Sequence, residues 1–575
     1  MLAAIIVWLI NLFRSIRNLW RALLRRRVDY VRIRLVGGLP EFTDAVRWWQ
    51  RRFLGARAPL SMQELRRALE RIADDPHARG VLLHIDGLQA GWATLQSLRD
   101  ELARFRAGGK RVVAYLVTPD TPGYYAACAA DTILLPPTVF FSVLGVRATV
   151  QFLKDALEKI GISAEVTAVS PYKSGGDTLA RSDISPEARE QLERLLDQRF
   201  EELVRAIAAA RGMEEDAVRA LIDGAPYSAP AALEHGLVDG LCYEDELEQR
   251  LSAERTTSAE SASGGTAPPA DRERLIIRDW EQAQRALRIP MARLARRMVG
   301  VVTVEGTIAS GHSRSLPLPI PLLGGRIAGA ESVVQALRQA ERNRRVAAVV
   351  LYVNSPGGAV LASDLMWREV LRVRQTKPVV VAMGDAAASG GYYISAPASA
   401  IVAQPGTVTG SIGVFMLRPV LEDALERAGV NTVALSRGAN SGMLDPSCAP
   451  TESERAAVRA MVFTFYEDFK RRVREGRGLP KERLEPIAGG RVWLGREALE
   501  LGLVDQLGGL PEAVLKAQEL AGLPADRRAP LLLVRGGREP LPPQPFPAGA
   551  AAALAGELAE LRRPQLWALM PFEAL

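Results

Sequence analysis

A serine framed by small residues, in Gly384-Asp385-Ala386-Ala387-Ala388-Ser389-Gly390-Gly391-Tyr392-Tyr393, has the setting of an activated hydroxyl. It follows the apolar run Pro378 to Ala382 and stands where a helix would begin, which leaves its Oγ uncrowded and in the positive field of a helix N-terminus. The same position suits an ordinary helix cap, a role that serine fills commonly. A second segment, Asn354-Ser355-Pro356-Gly357-Gly358, follows the run Val349 to Val353. Paired glycines there let the backbone turn with both N–H groups facing a pocket, where they could receive a developing oxyanion. An ordinary strand-to-helix turn would use them equally well.

A serine nucleophile needs a base. The second half of the chain holds one histidine, His312, in a Ser-, Pro- and Gly-rich loop, while His77, His84 and His235 stand near helix ends or in a strand, so a Ser-His-Asp arrangement is poorly supported. Lysine can serve instead if burial lowers its pKa, because desolvation disfavours the ammonium form. Lysines are scarce in this arginine-dominated chain. Lys173, in Ser170-Pro171-Tyr172-Lys173-Ser174-Gly175-Gly176-Asp177, follows a strand pattern over Ala164 to Val169 and is flanked by small residues. A solvated surface lysine is the alternative.

The elements that must position these groups belong to a chain of 575 residues, long enough for two large domains or a duplicated one. With 48% hydrophobic and 24% charged residues it has the profile of a folded protein. Short apolar runs alternate with helical patterns such as Ser332 to Arg342 and Ser363 to Arg374, which implies an α/β architecture with crossover connections. Cys128, Cys242 and Cys448 are scattered, so neither a disulfide framework nor a structural zinc site is indicated, and no metal or cofactor is expected. The net charge of +7 is mostly arginine, with six arginines between Arg14 and Arg27, and aromatics are only 6%. That points to a membrane surface and away from nucleic acid.

Leu2 to Phe13 is apolar apart from Asn11, shorter than the ~20 residues that span a bilayer. Because the arginines follow the apolar stretch, it is not a cleaved secretory signal. Phe13, Ile16, Trp20, Leu23 and Leu24 recur at helical spacing opposite Arg14, Arg17, Asn18, Arg21 and Arg25, the pattern of an interfacial amphipathic helix. Spanning the membrane, lying in its surface, and burial in a folded body all remain open.

The chain repeats itself. Gly123-Tyr124-Tyr125 matches Gly391-Tyr392-Tyr393, an offset of 391 − 123 = 268, and the same offset pairs Pro137 with Pro405, Gly145 with Gly413, and Asp155 to Glu158 with Asp423 to Glu426. Gly236 to Asp239 recurs as Gly502 to Asp505 with an offset of 266. The expected organisation is an anchor or interfacial helix over 1–27, an N-terminal domain over 28–251, a flexible linker over 252–275, a C-terminal domain over 276–535 and an appendage over 536–575. Thr121 stands where a second Ser389 would be and Ser441 roughly where a second Lys173 would be. The scaffold is shared while the chemistry is divided, so the site is expected to form only when the two halves meet.

Together, Val304-Glu305-Gly306-Thr307-Ile308, Asn354 to Gly358, Ala387 to Tyr392, Thr409-Gly410-Ser411-Ile412-Gly413 and Tyr172-Lys173-Ser174 resemble the signature of the long, duplicated signal peptide peptidase A enzymes, in the serine peptidase family of protease IV. The resemblance runs from about Arg32 to about Leu533. It implies two tandem β-spiral domains related to Clp-type proteases and crotonases, and a Ser/Lys dyad with Ser389 as nucleophile and Lys173 as general base. It also implies Gly357 and Gly358 as oxyanion donors and Ser411 as a residue orienting the amine. The implied activity is membrane-associated endoproteolysis of remnant signal peptides and other short or unfolded apolar chains. The implied setting is a homotetramer anchored by a transmembrane helix in the bacterial cytoplasmic membrane, with its domains on the periplasmic side. Two alternatives stand beside it: a crotonase-like acyl-CoA enzyme, and a catalytically inactive membrane scaffold of the same fold.

Overall fold

The computed structural model describes residues 2–23, 28–43, 59–253, 275–292, 297–320, 324–537 and 566–570. The linker expected over 252–275 and the appendage over 536–575 fall mostly outside the described residues. The chain is α/β and forms two compact units, Met1–Arg147 with Asp197–Leu294, and Ala148–Leu196 with Ala295–Leu575. Compactness and repeat therefore divide the chain differently: Ala148–Leu196, which lies in the first repeat, clusters with the second unit.

In the first unit six parallel strands form one sheet, in the order Gly240–Leu241, Thr132–Leu135, Arg111–Leu116, Gly80–Gln89, Tyr30–Gly38 and Ile277–Asp279. Val81, Leu82, Leu83 and Ile85 are all buried, as expected of a parallel strand covered on both faces. The helix Met62–Ala73 starts at a reciprocal cap in which Ser61 Oγ accepts from the Glu64 N–H and the Glu64 carboxylate accepts from the Ser61 N–H.

The N-terminal helix Leu2–Leu23 belongs to this unit. Its two asparagines fasten it: Asn11 exchanges hydrogen bonds with the N–H and C=O of Ala292 at 2.7 and 2.9 Å, and Asn18 does the same with Ile289 at 3.0 Å each. Seven helical residues rise about 10.5 Å and three extended residues span about 10 Å, so the two pairs are in register. Trp8, Leu9, Leu12, Phe13, Ile16 and Trp20 are exposed. The expected transmembrane helix is not found: among the described residues no helix is long and apolar enough to cross a membrane. The physical reason is that Asn11, Arg14, Arg17, Asn18 and Arg21 interrupt this one's apolar character.

The second unit carries an eight-stranded sheet with a main order of Val492–Leu494, Val408–Gly410, Val379–Ala388, Val346–Ser355, Met298–Glu305 and Leu531–Leu533. Ala400–Ala403 also pairs with Val379–Ala388, and Gln506–Leu507 pairs with Ala400–Ala403. Only Val492–Leu494 runs antiparallel to its neighbour. A second, seven-stranded sheet includes, in neighbouring positions, Thr307–Ala309, Gly357–Ala359, Leu566–Leu569, Phe415–Val420 and Ser163–Ala168. Six consecutive register pairs join Ser163–Ala168 to Phe415–Val420, which fastens the early segment to this unit. Duplication is visible in detail. Tyr124 donates its hydroxyl proton to the Leu237 carbonyl at 2.6 Å, and Tyr392 donates to the Leu503 carbonyl at 3.0 Å.

Candidate active site

The strand Val379–Ala388 ends in three buried alanines and delivers Ser389 to the start of the helix Gly390–Ser395. Small side chains are needed there because the helix runs close to the neighbouring strand: a Cβ on Gly391 would lie 2.9 Å from the Ser355 carbonyl oxygen. Ser389 has φ 53° and ψ −114°, and its N–H donates to the Gly410 carbonyl at 2.8 Å. Its side chain makes no capping bond, although it sits at the cap position. Among the described residues the only non-glycine residues with positive φ are Ser389 and Ser411, at 53° and 51°. Such strain, of order 1–3 kcal/mol per residue, persists where surrounding structure imposes it and clusters at functional sites.

Lys173 reaches these two serines from the turn Ser170 to Lys173, whose N–H donates back to the Ser170 carbonyl. Its Nζ lies 2.7 Å from Ser389 Oγ, 2.9 Å from Ser411 Oγ and 3.0 Å from the Ser411 carbonyl oxygen. Lys173, Ser389 and Ser411 are each 0% exposed. Burial, the only cause acting, drives the lysine pKa well below its ordinary value. A neutral amine has two N–H donors and one lone pair, and three neighbours surround it. The two Ser411 oxygens can accept while the lone pair receives the Ser389 proton, so the neutral form is fully satisfied without a counter-ion.

The two glycines of the 354–358 segment have structural reasons of their own. Gly357 has φ +108°, and a Cβ on Gly358 would lie 1.9 Å from the Ile308 carbonyl oxygen. The Gly357 N–H donates to Ser355 Oγ at 3.1 Å. Asn354 ties the segment to the strand Val379–Ala388 by accepting the Ala386 N–H at 3.1 Å, where the register between the two strands shifts.

Sequence reasoning passed over Gly490. It has φ +90°, and a Cβ on it would stand 2.7 Å from both Cα and Cβ of Lys173, so only glycine lets the lysine turn pass. Gly413 flanks the lysine stem: a Cβ on it would lie 3.2 Å from Lys173 Cδ. Arg491 stacks its guanidinium 3.6 Å from the Tyr172 ring centre and holds the same turn from outside. The Gly489-Gly490 doublet was the available signal, but nothing adjacent in sequence connects it to Lys173. Ser441, opposite Lys173 in the repeat, is exposed and bonds only locally, to the Gly438 carbonyl.

A model of peptidase family S49 matches residues 104–258 and 372–524, one stretch holding Lys173 and the other Ser389 and Ser411. A Clp protease model matches residues 324–403. The chain is 32% identical over 479 residues to a chloroplastic serine protease SPPA of Arabidopsis thaliana, a match covering 82% of this chain and 68% of that one. It is 31% identical over 467 residues to protease 4 of Haemophilus influenzae, covering 79% and 72% respectively. With protease 4 of Salmonella typhi the identity is 30% over 473 residues, covering 80% and 72%.

Proposed function

Since the chain belongs to peptidase family S49 and is a serine endopeptidase, we propose that Ser389 is its nucleophile and Lys173 its general base. The observation that carries this is the fully buried amine 2.7 Å from a strained serine hydroxyl. Lys173 takes the hydroxyl proton as Ser389 Oγ adds to the substrate carbonyl carbon. The oxyanion is received by the Gly357 and Gly358 amides, with the Gly357 N–H exchanging Ser355 Oγ for it. Lys173 then gives its proton to the departing amine, leaving an acyl-enzyme on Ser389. The same lysine deprotonates the water that hydrolyses this ester. Ser411 keeps the amine aimed at Ser389 through its hydroxyl and carbonyl oxygens.

The substrates in this reading are cleaved signal peptides and other short or unfolded apolar chains. The protease reading, and not the acyl-CoA one, is what the family carries. Both repeats are read as β-spiral domains of the Clp-protease and crotonase type. The enzyme associates with the bacterial inner membrane through the exposed apolar face of its N-terminal helix lying in the surface, works on the periplasmic side and assembles as a homotetramer. The test is cleavage of casein and of a synthetic signal peptide by wild type, Ser389→Ala and Lys173→Ala. Both variants should lose turnover with their circular dichroism unchanged, and wild-type turnover in either one would refute the dyad.

A further inference from the structure

The segment Leu566–Met570 has no counterpart in the first repeat, yet it is built into the site. Leu566–Leu569 forms a strand antiparallel to both of its neighbours. On one side Gly357 pairs with Leu569, Gly358 with Ala568 and Ala359 with Trp567; on the other, Phe415 pairs with Trp567 and Met416 with Leu566. The Met570 N–H donates to the Pro356 carbonyl at 2.7 Å. Met570 is only 5% exposed and packs among Leu195, Ala386, Ala388, Val408, Val492 and Leu494, where Ala388 immediately precedes Ser389. The Leu569 carbonyl oxygen lies 3.5 Å from where a Cβ on Gly175 would stand, two residues after Lys173.

A peptide attacked by Ser389 must bring its carbonyl to the Gly357 and Gly358 amides, so it must lie along the strand Gly357–Ala359. Extended peptides are captured this way, with main-chain pairing giving affinity and pockets for side chains giving selectivity. The chain's own segment occupies that strand position and fills the apolar pocket beside the nucleophile. We propose, resting on the serine-peptidase reading of this site, that Leu566–Met570 is an inhibitor in cis that extended apolar peptides must displace. Being part of the same chain, it competes at an effective concentration that can reach the order of millimolar. Met570 is followed in sequence by Pro571, and the bond between them is a tertiary amide whose nitrogen bears a ring carbon in place of hydrogen. That suits a segment that occupies the cleft without being cut.

The test compares full-length wild type with full-length Met570→Glu, whose carboxylate is disfavoured in the apolar pocket. With a fluorogenic apolar peptide, the variant should show KM lowered about tenfold at unchanged kcat. It should also show faster labelling of Ser389 by a fluorophosphonate, and both gains should be reversed competitively by the synthetic peptide Leu-Trp-Ala-Leu-Met. Equal KM and labelling rate at an unchanged Tm would overturn the proposal. Should Met570→Glu unfold, Pro571→Ala decides: its chain should lose residues 571–575 by intact mass, and an uncut chain would overturn the proposal. Loss of 571–575 that persists in the double variant with Ser389→Ala would instead indict the serine reading.

Discussion

The helices Thr121–Ala127 and Gly390–Ser395 start from matching places in a repeated chain, and their starts are held in opposite ways. In the first unit Asp120 sits in ordinary extended geometry, φ −89°, and its carboxylate accepts the Gly123 N–H at 2.8 Å. Thr121 directs its hydroxyl to the Gly145 carbonyl at 3.1 Å. In the second unit the helix starts one residue later, and Ser389 stands at the cap in a strained conformation with its Oγ 2.7 Å from Lys173 Nζ and not bonded to the helix. A cap of the first kind is worth about 1 kcal/mol, whereas strain of the second kind costs about as much or more. One unit thus spends the position on its own stability, and the other, in the proposed dyad, holds a hydroxyl in readiness at the expense of stability.

The sharpest way to break this comparison is to remove the groups that differ. Ser389→Ala and Lys173→Ala should each lower kcat/KM by about 10⁴-fold or more, as removal of a nucleophile or its base does elsewhere. Thr121→Ala and Ser441→Ala, at the matching positions, should leave peptide hydrolysis at the wild-type level.

Next in size is Gly490→Ala, whose Cβ would press on the Lys173 backbone. A displacement of about 1 Å can cost 10²-fold, and hydrolysis should fall by roughly that amount without loss of the fold. Activity in Gly490→Ala equal to wild type would show that the lysine turn tolerates movement.

The pH profile sharpens the comparison further. In the proposed dyad Lys173 acts as the neutral amine, so turnover should be low in acid and rise about tenfold per pH unit up to its lowered pKa, then level off. Stability follows the same sign. Between the lowered folded value and the ordinary unfolded one, the unfolded chain binds the extra proton, so stability increases as pH rises through that window. Lys173→Met should remove activity and, in thermal melts near neutral pH, raise Tm; a lower Tm would contradict a destabilising buried amine.

The smallest effects concern the caps themselves. Asp120→Ala should lower stability by about 1 kcal/mol with unchanged hydrolysis. Ser389→Gly should hold or raise stability by about 1 kcal/mol, since glycine adopts positive φ without strain, while hydrolysis disappears. Equal losses in both variants would erase the distinction between the two helix starts.

Much of this is legible in the sequence. Identical residues at a fixed offset reveal the repeat, and alternating strand and helix patterns reveal its α/β character. Other features depend on contacts that leave no local trace. Ala148–Leu196, a piece of the first repeat, clusters with the second unit because Ser163–Ala168 pairs with Phe415–Val420, so Lys173 of one repeat meets Ser389 of the other inside one compact unit. The strain at Ser389 and Ser411 is set by neighbouring strands, and serine is not a residue whose presence announces positive φ. Leu566–Leu569 is too short to show a period, and both its partners lie more than a hundred residues away. A transmembrane helix was expected where arginines and asparagines already divided the apolar stretch.

The asparagine pairs on the N-terminal helix have a bearing on tolerance to change. They join residues 281 and 271 positions apart, so they close very long loops with four hydrogen bonds. On one side these pairs read only main-chain atoms: the side chains of Ile289 and Ala292 take no part, and replacing them by anything but proline leaves every donor and acceptor in place. On the other side Asn11 and Asn18 have no substitute, because a side-chain amide offering a donor and an acceptor at that reach is what the spacing demands. Attachment of the helix is thus encoded at Asn11 and Asn18, with Arg14 and Arg21 adding bonds to the Pro290 and Leu287 carbonyls, and by a main-chain path near residue 290.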